Sequence, residues 1–196
     1  MLKTKVLLVL LFAFFAVANA TAQTKPEPPL SPQRKMAIDS LAMEKVKDLS
    51  KYITIIGDKK TPFTEANRVI DRAVELFAEG SQMGVSSLNT KKIKNYGIRE
   101  YLNRLMSLNY DRVKIEWFNI QYISDLERQP DGKYVGVITI YQKFEGVTKE
   151  GMKYIDVTKK DITVYVERKK TQINGREIGF WDVMLGDIRV SETRRK

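Results

Sequence analysis

The chain has 196 residues and contains neither cysteine nor histidine. Without them, Ser-His-Asp and Cys-His nucleophilic sets and the usual zinc sites are excluded. Disulfides cannot form, and no thiol is present to carry a lipid. The sequence holds no GxxxxGKS or GxxxxGKT run and no GxGxxG run, so it offers no phosphate cradle. Its carboxylates are dispersed: Asp125 with Glu127, and Asp182 with Asp187, are too scattered for a hard cation. No metal and no cofactor is expected. Proline is scarce, and four of the six stand at Pro26, Pro28, Pro29 and Pro32. The one long apolar run, Val6 to Val17, is about a dozen residues, short of the ~20 a membrane-spanning helix needs.

That run follows Lys3 and Lys5 and precedes Ala18-Asn19-Ala20 and Ala20-Thr21-Ala22. A charged start, a short apolar middle and a small-x-small end make residues 1–20 a signal peptide with two candidate cleavage points. The expected location is periplasmic or secreted, without a lipid anchor and with no membrane span after cleavage. Residues 21–32 read as a proline-rich extended leader. Of the net charge of +10, about +8 remains once Lys3 and Lys5 leave. The cations fall in short groups beside turns rather than in one tract, so no nucleic-acid partner is expected. Attraction to an acidic envelope surface is the third functional reading, since scattered cations still produce a long-range field.

Ser31 followed by Pro32 supplies a cap and a first helical position. Ile38, Leu41, Val46, Leu49, Ile53 and Ile56 then recur near every 3.6 residues, giving an N-terminal helix over 33–57 with Gly57 as a left-handed stop. Thr61-Pro62 repeats that start, and Ala66, Val69, Ile70, Ala73, Val74 and Phe77 line a second helix ending at Gly80. Met83, Val85 and Ser87 alternate as a short strand. Ile98, Tyr101, Leu102, Leu105 and Leu108 return to helical spacing. Four β-rich runs follow at about 111–126, 133–145, 152–170 and 176–190, with Asn174-Gly175 joining the last two as a tight hairpin. Residues 191–196 are a basic tail. The fold class is α+β: N-terminal helices packed on a long, curved antiparallel meander. In 133–145 both faces carry apolar groups, with Val135, Val137 and Tyr141 opposite Tyr134, Ile138, Ile140 and Phe144. Either the N-terminal helix or a second subunit covers the extra face.

The stretch FAEGSQMGVSSLNTKKIKNYGIREYLNRL, residues 77–105, supplies a helix end, a short strand and a closing helix. With the meander it resembles the nuclear transport factor 2-like (cystatin-like, cone-shaped) superfamily over about 62–190. It is also similar to exported proteins of Bacteroidota-type bacteria. The resemblance implies a bent sheet around a helix, a pocket at the open end and frequent dimerisation through the sheet. The preceding long helix departs from the minimal pattern.

One run carries candidate chemistry. As an unbroken strand, Tyr154, Asp156, Thr158 and Lys160 share a face with core-directed Ile162, Val164 and Val166. Polar groups in line with a core stripe belong to a pocket or to the open end of the sheet. Similarity to ketosteroid isomerase-like members would make Asp156 a general base and Tyr154 a hydrogen-bond donor to an enolate. The plainer alternative is an Asp156–Lys160 pair at an exposed sheet end, with Tyr154 in the core. A bulge between the halves would reverse the facing. Candidate ligand-binding residues are Tyr154, Asp156, Thr158, Lys160, Trp117 and Tyr134, although aromatics in long strands more often serve the core. Gly186 marks an expected bulge, because Trp181, Val183 and Leu185 have one parity while Ile188 and Val190 have the other.

Two functional readings follow. The first is an exported, non-catalytic envelope module that binds a partner protein, a second copy or a small apolar ligand through a pocket or sheet face. The alternative is a ketosteroid isomerase- or dehydratase-like enzyme using the Asp156–Tyr154 pair, which requires Asp156 to face a concave pocket.

Overall fold

The computed structural model describes residues 30–88, 90–122 and 124–195. The expected signal peptide and nearly all of the leader lie outside the described residues.

Helix α1 spans Pro32–Gly57, and the Ser31 hydroxyl accepts a hydrogen bond from the Arg34 N–H at 3.3 Å. Its buried stripe is Ile38, Ala42, Val46, Leu49, Ile53 and Ile56; Leu41, expected on that stripe, is exposed. Gly57 is not left-handed. It is the last helical residue, close enough to Ile115 and Val113 that an added Cβ would lie 3.6 Å from each. The extended Asp58 ends the helix and returns its N–H to the Thr54 carbonyl at 3.1 Å.

Helix α2, Phe63–Val74, starts one residue later than Thr61-Pro62 implied, with Pro62 at the cap and Thr61 donating to the Ile55 carbonyl at 2.7 Å. It stops well before Gly80. Phe77 leaves the helix to bridge Leu185, and Ala78 N–H bonds the Leu185 carbonyl at 2.7 Å. The sheet's backbone groups win this segment from the helix.

Strand β1, Gln82–Ser87, pairs with β2, Thr90–Gly97. β2 was not legible in the sequence: TKKIKNYG has no alternation, and its lysines suit a strand at the sheet's edge. Helix α3 is Ile98–Met106, burying Ile98, Tyr101, Leu102 and Leu105. The meander comprises β3 (Arg112–Tyr122), the short β4 (Glu127–Arg128), β5 (Tyr134–Val147), β6 (Lys153–Ile173) and β7 (Arg176–Arg195). Asn174 and Gly175 have φ of 51° and 75°, the double positive a two-residue hairpin requires. Residues 191–195, set aside as a tail, continue β7, with Thr193 opposite Thr158.

The strand order is β2-β1-β7-β6-β5-β3, with β4 beside β5. β1 meets β7 in parallel at Met83 and Ile188, so the sheet is mixed rather than wholly antiparallel. It is open, and the α+β, cone-like layout holds. Two extra residues on β7 bend it, one between the partners of Lys159 and Lys160, the other between those of Ile162 and Val164. Gly186 lies in the second, where a Cβ would come within 2.3 Å of the Tyr165 ring.

The three helices of the described residues cover one face, over Ile138, Ile140, Ile162, Val164, Leu185 and Ile188. The N-terminal helix does not cover the other. There Val135, Val137 and Tyr141 are half-buried, and Phe118 stacks on Tyr141 with ring centres 5.7 Å apart. Among the described residues, no helix is long and apolar enough to cross a membrane.

Candidate functional site

β6 keeps a single parity from Tyr154 to Val166, because both extra residues lie on its partner β7. Asp156, Thr158 and Lys160 therefore stay in line with Ile162, Val164 and Val166 on the helix-covered face. They are 5%, 3% and 2% exposed, so this is no exposed sheet end. Burying a carboxylate and an ammonium costs free energy unless each finds a partner.

Asp156 finds its partner in Tyr154, whose hydroxyl donates to the carboxylate at 2.8 Å. The same hydroxyl accepts the Leu88 N–H at 3.1 Å and lies 3.3 Å from the Ser87 hydroxyl. The β1–β2 hairpin thus fixes Tyr154. Burial raises the Asp156 pKa above the usual carboxylate value, and the Tyr154 hydrogen bond and the Lys160 charge partly oppose it. Tyr154 itself is pushed up, first by burial.

Lys160 lies deeper. Its Nζ sits 3.6 Å from Met83 Sδ and 5.7 Å from the centre of the Tyr101 ring. Burial lowers its pKa from 10.5 to about 8, against the pull of Asp156. Thr158 joins a hydroxyl chain, 3.4 Å from Thr193, which in turn meets Ser86.

Asp156 opens onto a cavity of about 260 Å³ between the sheet and α3. Val85, Leu105, Leu108, Ile115 and Phe144 give it apolar walls. Gln142, 8% exposed, lies on the same wall as Asp156. Its Oε1 accepts the Trp117 indole N–H at 3.1 Å. Indole can only donate, so this bond sets the amide orientation and leaves the Gln142 NH2 as the end with protons to give. Trp117 acts behind Gln142, outside the cavity lining. A larger cleft of about 540 Å³ runs past Lys59, Asp111, Arg112, Lys114 and Glu145, but its lining is charged surface without a buried titratable side chain.

The structure therefore brings Tyr154, Asp156, Thr158 and Lys160 together, with Trp117 one contact away. It leaves Tyr134 out. Tyr134 pairs with Val166 while Phe144 pairs with Asp156, ten residues along β5, or roughly 33 Å at about 3.3 Å per residue. There it packs edge-on against Trp181 at 5.7 Å. The sequence reading missed Gln142, although one signal was present: a polar residue in phase with Ile138, Ile140 and Phe144. Tyr101, read as core, also lines the cavity. The role expected for Tyr154 changes too, because its proton is held by Asp156 and not offered to a ligand.

Chemically, the cavity offers one buried carboxylate able to take a proton, an amide donor and several apolar wall residues. No protein-family model matches the chain, and no curated protein does. Solved structures of similar shape include a scytalone dehydratase-like protein from Novosphingobium aromaticivorans, with a TM-score of 0.42 and 11% identity over 83% of this chain and 90% of that one. A hexachlorocyclohexane dehydrochlorinase (LinA) type 2 gives 0.40 and 12% identity over 81% of this chain and 91% of that one. Likeness at this level fixes neither family nor chemistry.

Proposed function

We propose that this chain is an exported acid–base enzyme that removes a proton from carbon next to a carbonyl of a small, largely apolar ligand. The observation that carries the reading is Asp156: a carboxylate 5% exposed, hydrogen-bonded by Tyr154 and facing an apolar cavity. The signal-like residues 1–20 support export, and the element order supports a place in the nuclear transport factor 2-like superfamily.

In the proposed reaction the ligand's carbonyl oxygen accepts from the Gln142 NH2 and Asp156 takes the adjacent C–H proton. The C–H electron pair moves toward the carbonyl, giving an enolate whose negative oxygen the amide holds. Asp156, now neutral, returns the proton to another carbon in an isomerisation, or the pair expels a leaving group in an elimination. A raised carboxylate pKa makes Asp156 a stronger base than a solvated aspartate. Tyr154 acts as a positioning residue, fixing the carboxylate rotamer through the hydroxyl that Leu88 anchors.

Deuterium exchange tests this. Small aryl and cyclic ketones in deuterated buffer, followed by proton NMR, should lose their α-proton signal faster with the protein present. Asp156→Asn keeps the shape and should slow that exchange by about 10²–10⁴-fold. Binding without exchange in the wild type would instead establish the non-catalytic, ligand-binding reading and sink the catalytic one.

A further inference from the structure

Among the described residues that line the cavity, the cation is Arg104, in the last turn of α3. Helical spacing puts it on the cavity side: Tyr101, Arg104 and Leu105 follow one another at three and one residues of the helix, and all three are lining residues. Its guanidinium carbon stands 4.5 Å from the centre of the Tyr96 ring. A ring on one face of a guanidinium leaves the N–H edges to donate in the plane, the geometry that grips a carboxylate with two parallel hydrogen bonds.

Charge bookkeeping around Arg104 is unbalanced. Arg99, one turn earlier, is paired with Asp71 at 2.7 Å, whereas Arg104 makes no ion pair among the described residues. Asp156, the only carboxylate among the described residues lining the cavity, is already bonded to Tyr154 on the sheet side. The cavity thus has a base on its sheet wall and an unmatched cation, stacked on Tyr96, at its helix wall.

We infer that the ligand of this site is a small organic acid, its carboxylate gripped by Arg104 and its apolar body lying against Leu105, Ile115 and Phe144. This rests on the reading of the cavity as the functional site and adds the substrate class to it. Size agrees. About 260 Å³ falls just below the roughly 300–1,000 Å³ of pockets that hold drug-sized ligands, so one ring with a short acid-bearing arm suits it.

Phenylpyruvate and its methyl ester form the test pair, with dissociation constants from isothermal titration calorimetry. The acid should bind the wild type roughly tenfold or more tighter than the ester, the scale of a charged hydrogen-bonded pair. Arg104→Gln should erase that preference, and Arg104→Lys should restore part of it. Arg104 is exposed, so an unchanged melting temperature will show that both variants fold. Equal affinity for acid and ester, an Arg104→Gln variant that keeps the preference, or no binding of either probe would each overturn the inference. Asp156→Asn separates the two proposals: it should slow deuterium exchange by the same factor of about 10²–10⁴ while leaving the acid-over-ester preference intact. Exchange without that preference keeps the catalytic reading and discards the acid. The preference without exchange does the reverse.

Discussion

Replacing Lys160 by methionine measures how strongly this fold carries a buried charge. The side chains are of similar length, and Met83 and the Tyr101 ring already give Lys160 surroundings a thioether would share. In the fold the ammonium titrates at about 8 against 10.5 when free. At roughly 1.4 kcal/mol per pH, that gap sets about 3 kcal/mol against folding wherever both states are protonated. Because the folded pKa is depressed, the unfolded chain holds more protons between about 8 and 10.5, so wild-type stability rises with pH through that window. Below it the penalty is constant. Lys160→Met has no such group. Its loss also removes the Lys160 charge that partly opposes the upward shift of Asp156, so Asp156→Asn and the Asp156→Asn/Lys160→Met double variant form a second pair in which that carboxylate is absent. Urea unfolding of both proteins at intervals from pH 7 to 10.5 provides the comparison, since every other side chain is common to the two. The wild type should gain about 3 kcal/mol on the variant across the window. Parallel curves would refute the reasoning, because they would mean Lys160 titrates as a solvated amine.

Two backbone features give further measurements. Gly186→Ala places a Cβ within 2.3 Å of Tyr165 Cε2, and chemical denaturation should show a loss of about 1–3 kcal/mol as for overpacking. Adding Tyr165→Ser should recover part of it, and no loss in the single variant would mean the bulge relaxes freely. Ser31→Ala removes the hydroxyl that accepts the Arg34 N–H; it should cost about 1 kcal/mol and increase amide exchange in the first turn of α1.

The helices and the meander were legible because burial imposes a period. Val46, Leu49, Ile53 and Ile56 could face only one way, and a buried sheet face forces the alternation seen from Asp156 to Val166. What stayed hidden depended on partners distant in sequence. β2 is a strand because β1 lies beside it, not because its lysines favour extension. Phe77 fits a helical stripe, yet Leu185 claims it for the sheet. The same division runs through the site. Tyr154, Asp156, Thr158 and Lys160 shared one strand and could be read together. Gln142 depends on Trp117 for its orientation, and Arg104 gains its meaning from Tyr96 and the cavity, neither of which periodicity reveals. Tyr134 was misplaced because strand parity gives the face of a residue and not its distance along the sheet.

The two strands of the last hairpin differ in how they can tolerate changes of length. β7 already accommodates two additional residues opposite β6, and its ladder resumes after each. β6 accommodates none between Tyr154 and Val166. A single insertion or deletion between Asp156 and Ile162 would turn every residue on one side of it to the opposite face, separating Asp156 from the core stripe of Ile162, Val164 and Val166. A change of length should therefore be absorbed by β7, while β6 tolerates substitution alone. The spacing of six residues from Asp156 to Ile162 is itself part of the site, as binding as the identity of any side chain in it.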